Sequence, residues 1–136
     1  MRQVAWLHAT PERAPNGPER QSRIEEMKAR GETPLLPNNP APYLTDWLFD
    51  VGPINGDALV GYGDLAAWQQ IAGIELLPWE AKLIRRLSAE YSNERYRARK
   101  ADYPAPYSGA LDDIVANRAA VDAKVRSAFL NLKKKT

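Results

Sequence analysis

The placement of eleven prolines constrains this chain more than any other feature of its sequence. Pro11, Pro15 and Pro18 fall near the start, Pro34, Pro37, Pro40 and Pro42 form a second group, and Pro104 and Pro106 a third. Proline fixes φ, lacks an amide donor and pushes the preceding residue away from helical backbone, so none of these stretches holds regular structure for long. Only Pro53 and Pro78 lie between the second and third groups, which leaves the interval from Ala41 to Ala101 as the place for a helical core.

Within that interval the apolar residues recur at three- and four-residue spacing. Tyr43, Leu44, Trp47, Leu48 and Val51 share one face of a helix over 42–51, stopped by Gly52 and Pro53. A glycine-rich loop follows, and Leu65, Trp68, Ile71 and Ala72 make the stripe of a second helix over 64–73, with Asp64 at its start and Gly73 at its end. Pro78 and Glu80 suit the first turn of a long helix over 78–100, whose stripe is Leu83, Ile84, Leu87 and Tyr91. No useful length alternates with period two, so strands are not expected. Beyond Pro106, Ser108 can cap a last helix over 108–131, with Asp112 and Asp113 in its first turns and Lys133, Lys134 and Lys135 past its end.

The expected fold is therefore all-α: a small bundle of short helices with a Pro-rich, partly extended N-terminal arm. The arm spans 1–41 and carries one short helix from near Pro18 to Arg30, the core spans 42–101, and a C-terminal helix with a basic tail spans 102–136. Ile24, Met27 and Ala29 are too sparse to fix the arm's helix alone, so a mobile arm and an arm that docks on a partner both fit.

Composition narrows the chemistry. At 136 residues the chain is about one domain, and it has no Cys and one His. Disulfides, thiolate nucleophiles and Cys-built metal sites are excluded, and His8 has no partner that the sequence suggests. No apolar run approaches the roughly 18–20 residues that cross a bilayer, and no signal-peptide core is present, which points to a soluble protein in a reducing compartment. None of the familiar nucleophile, zinc or phosphate-loop motifs occurs; Gly61-Tyr62-Gly63 reads as a turn, and Asp46 and Asp50 read as surface charge. The chain is thus expected not to be an enzyme and to need no cofactor and no metal.

Two binding classes remain. Lys82, Arg85, Arg86, Arg95, Arg97, Arg99 and Lys100, interleaved with Tyr91 and Tyr96, make the long helix basic enough to meet phosphates. Against this, Glu90 and Glu94 stand at pairing distance from Arg86 and Arg97, and the whole chain is only +2. A positive patch is equally suited to an acidic protein. Four Trp and six Tyr exceed what a minimal helical core needs. Trp47, Trp68 and Trp79 either meet in one core, or one of them, with Trp79 beside Pro78 the best placed, stays exposed as an anchor.

The series Trp47-Leu48-Phe49-Asp50-Val51-Gly52-Pro53, then Asp64 to Gly73 with its Trp-x-x-x-x-Gly ending, then Leu77-Pro78-Trp79-Glu80 with Leu83, Leu87-Ser88 and Tyr91, resembles small proteins from the tail-gene regions of long-tailed bacteriophages and prophages. It is similar in particular to tail assembly chaperones, over roughly Tyr43 to Tyr96. The resemblance implies a non-enzymatic protein that binds the tape-measure protein, the tail-tube protein or both during tail morphogenesis in the host cytoplasm. Trp47, Trp68, Trp79 and Tyr91, with Arg85 and Arg86 of the basic helix, are the candidate protein-binding residues, with self-association a further option. The alternatives are a small virion component, such as a tail completion or head-tail connector protein, and a DNA-binding phage regulator that uses the basic helix.

Overall fold

The structure is a computed structural model that describes residues 1–109, 118 and 121–127. The chain divides into two compact units, Met1–Pro106 and Tyr107–Thr136. In the first unit the elements run α1 (Arg2–His8), α2 (Arg23–Ala29), α3 (Pro42–Val51), β1 (Ile54–Asn55), β2 (Ala58–Leu59), α4 (Tyr62–Ala72) and α5 (Pro78–Arg97). Among the described residues the fold is mostly helical, with one small hairpin. In the second unit Arg118 and residues 121–127 are helical and exposed; Ser108 and Gly109, at the start of the helix expected over 108–131, are not helical, and its remaining residues and basic tail lie outside the described residues.

The three central helices form where the apolar spacing puts them, and each has a local reason to start and stop. Pro42 opens α3 and Gly52 closes it at φ 98°, a conformation that L side chains rarely adopt. α4 begins two residues ahead of the expected position because the Asp64 carboxylate reaches back to accept the Gly61 amide at 2.7 Å; Gly73 ends it in left-handed backbone. The Glu80 carboxylate does the same for α5, accepting the Leu77 amide at 2.8 Å. Leu44, Leu48, Val60, Leu65 and Ile84 form the buried core cluster, with Trp47, Val51, Leu83 and Leu87 packed against it.

Three expectations are corrected. The N-terminal residues are not an arm throughout: α1 packs on α5 and α2, burying Gln3, Ala5, Leu7 and Ala9. The Glu12 amide donates to Arg99 O at 2.7 Å, and Arg23 is buried, with its guanidinium 4.7 Å from the centre of the Trp6 ring while it donates to Lys100 O at 2.9 Å. The N-terminal helix spans Arg23–Ala29 rather than starting near Pro18, and Glu25 reaches back to the Ser22 amide at 2.9 Å.

The second correction is the hairpin, which pairs Ile54 with Leu59 and Asn55 with Ala58 across Gly56 and Asp57. Two residues per strand are too few for an alternating pattern to register. Its anchor lies outside the ladder: fully buried Ser88 donates to Pro53 O at 2.7 Å and accepts the Val60 amide at 3.0 Å, tying both ends of the hairpin to α5. The third is Ile71, which was expected in the buried stripe of α4 and is 88% exposed.

Candidate functional site

The six candidate binding residues do not form one surface. Trp68 is buried, and its indole N–H donates to Asp50 Oδ2 at 2.6 Å, which joins α4 to α3 and gives Asp50 a structural partner rather than only water. Trp47 is half-buried between Tyr43 and Trp68, with ring centroids 4.9 and 5.9 Å away. Tyr91 is buried; its hydroxyl lies 2.8 Å from His8 Nδ1, and Phe49 packs edge-on against both rings. Burial raises the Tyr91 phenol above its ordinary pKa, with Arg95 opposing. Burial lowers His8, helped by the positive charges of Arg95 and Lys28. Trp68 and Tyr91 thus lie in the interior rather than on an open surface, and His8, given no role from sequence, joins α1 to α5.

Trp79 is the exception. It occupies the first turn of α5 with half of its surface exposed, next to Leu77, which is equally open. Its neighbour Glu80 is buried and fully used: Oε2 takes the Leu77 amide and Oε1 accepts the Tyr43 hydroxyl at 3.2 Å, which locks the start of α5 to the start of α3. The Tyr43 phenol is raised in pKa, by burial first and then by this carboxylate. The helix start that presents Trp79 is therefore rigid without help from the indole itself. Of the three tryptophans that the sequence could bring into one core, Trp47 and Trp68 pack together, with ring centroids 5.9 Å apart, while Trp79 is half exposed.

The charges on α5 follow the pairing read in the sequence only in part. Glu94 is buried and its Oε2 accepts Arg2 Nε at 3.0 Å; Arg97 comes only to 4.0 Å. Among the described residues no carboxylate lies within salt-bridge distance of Lys82, Arg85 or Arg86, so the Arg86–Glu90 pair does not form. Arg85 is fixed instead by the Tyr62 ring, 4.1 Å from its guanidinium, and by a long hydrogen bond of 3.4 Å to Val60 O. That stacked pair is itself on the surface, with Tyr62 half exposed. Nothing in the sequence pattern signalled it, because Tyr62 sits in the glycine-rich loop that reads only as a turn.

An apolar concavity lies elsewhere. A groove of about 460 Å³ runs between the segment at 36–41 and the faces of α1, α3 and α5, lined by Val4, Leu36, Pro37, Leu44, Phe49 and Leu83 among others. It contains no convergent set of titratable groups, and among the described residues no group of three or more His, Asp or Glu is placed to hold a metal ion. No helix among the described residues is long and apolar enough to cross a membrane. Compared with models of known families, with characterised proteins and with solved structures, the chain matches none.

Proposed function

We propose that this chain is a non-enzymatic, tail assembly chaperone-like protein that binds a phage tape-measure or tail-tube protein in the host cytoplasm while the tail is built. The observation that carries the reading is the contrast within the residues of the resemblance. Trp47, Asp50, Gly52, Trp68, Glu80, Ser88 and Tyr91 each have a partner or a backbone role inside the unit, whereas Trp79 is held out to solvent on a helix start that does not depend on it. A half-exposed indole on a rigid turn offers a large apolar area at little cost in conformational freedom, the property of an interface anchor. Ile71 adds a second exposed apolar side chain on α4. A chaperone must release its client, and a few exposed anchors on a small folded unit suit reversible shielding better than a deep cavity does.

Co-expression with phage tape-measure and tail-tube proteins, followed by size exclusion, tests the reading. Co-elution with either is expected, together with absence from purified particles by mass spectrometry. Failure to co-elute with both would overturn it, and stoichiometric presence in the mature particle would replace an assembly factor with a virion component.

A further inference from the structure

We infer that the solvent face of α5 between Trp79 and Arg86 docks an acidic, amphipathic segment of the partner, with the indole taking its apolar residues and Lys82, Arg85 and Arg86 its carboxylates. The inference rests on the protein-binding reading above and adds the chemistry of the partner. At about 100° per residue, Trp79, Lys82, Arg85 and Arg86 fall within about 120° of one another around the helix, along about 10 Å of its length. All four are exposed. The only acid in this stretch, Glu80, is turned inward and spent on Leu77 and Tyr43, so the first exposed carboxylate along α5 is Glu90.

Three cations without a carboxylate partner among the described residues stand beside an exposed Trp and an exposed Leu77. Stacking on Tyr62 holds the Arg85 guanidinium in place before any partner arrives, so less side-chain freedom is lost on binding. Such a face is complementary to carboxylates flanking an apolar residue. A nucleic acid fits it less well: the positive path is short, Glu90 interrupts it before Arg97, and Trp79 with Leu77 presents apolar surface where a phosphate backbone would run.

The probes are three fluorescein-labelled ligands offered to the full chain: a synthetic amphipathic helix with Glu on one edge and Leu on the other, its Lys-for-Glu counterpart, and a single-stranded DNA oligonucleotide. The Glu peptide is expected to bind and to weaken about tenfold between about 50 mM and about 300 mM salt, while the Lys counterpart does not bind. The double substitution Lys82→Glu with Arg86→Glu, which leaves the Arg85–Tyr62 contact intact, is expected to cost about tenfold or more, at an unchanged unfolding midpoint. Trp79→Ala should weaken the peptide without removing its salt dependence. Equal binding of the Glu and Lys peptides, indifference to the charge reversal, or binding of the DNA in preference to the Glu peptide would overturn the inference. Co-elution with a tail protein that survives Lys82→Glu with Arg86→Glu at both salts would overturn it too, while leaving the chaperone-like reading standing. Peptide binding by a chain that co-elutes with neither tail protein would do the reverse.

Discussion

Glu94 sits inside the unit with Oε2 on Arg2 and with Oε1 lacking a hydrogen-bond partner among the described residues. A carboxylate removed from water depends strongly on whatever charge remains beside it. Arg2→Ala is therefore expected to cost about 1–3 kcal/mol in urea unfolding, below the usual figure for a buried pair because Arg2 is itself half exposed. Glu94→Gln in the Arg2→Ala background should recover part of the loss, since an amide costs less to bury than an unpaired charge; no recovery would mean that Arg2 acts by packing alone. His8 gives a pH dependence with a definite sign. Its pKa is lowered by burial and by Arg95 and Lys28, while Tyr91 and Phe49 face it as uncharged rings. The unfolded chain therefore takes up the proton first, and stability is full above about pH 6.5 and declines as the pH falls below it. His8→Gln should flatten the decline between pH 7.5 and pH 5 in denaturant titrations, and an unchanged slope would assign it to other groups.

Among the elements, α1 and the hairpin separate what the sequence made legible from what it did not. α3, α4 and α5 were legible because each has a stripe at helical spacing and a proline, glycine or acid at its ends. α1 was not, because a short helix enclosed on several sides shows no polar face: Gln3, Ala5 and Leu7 are buried, and Val4, Trp6 and His8 are half-buried. What holds it is long-range, the Arg23 guanidinium over Trp6 and the Trp6 indole donating to Tyr103 O at 3.0 Å, and no local pattern records such contacts. Leu7→Ala is expected to cost about 2–4 kcal/mol, the penalty for a buried leucine. A cost near zero would restore the mobile arm. The hairpin was invisible for a related reason, since Ser88 on α5 fixes it. Ser88→Ala leaves Pro53 O and the Val60 amide without their partner and should cost about 1–3 kcal/mol, with faster amide exchange at Val60; unchanged exchange would show that the turn holds itself.

For the molecule as a whole, the tryptophan spacing read from the sequence did not distinguish a side chain that builds the core from one that faces outward. Trp68 and Trp79 look alike in a periodicity argument, yet one donates to Asp50 inside the unit and the other is half exposed on α5. Of the candidate residues Trp79, Arg85 and Arg86 are exposed and Trp68 and Tyr91 buried, a difference that no periodicity carries, because burial depends on which faces of separate helices meet. The charge reading shifted in the same way: with Glu80 and Glu94 turned inward, the exposed face of α5 is more positive than its composition suggests. The central claim is that the fold does not need the Trp79 side chain and the partner does. Unfolding and co-elution of Trp79→Ala, measured side by side against the starting chain, test it most directly. The expected result is a stability loss of no more than about 1–2 kcal/mol with capture of the tape-measure or tail-tube protein reduced about tenfold or more. Loss of stability of the size seen for buried tryptophans, or capture that persists undiminished, would contradict it.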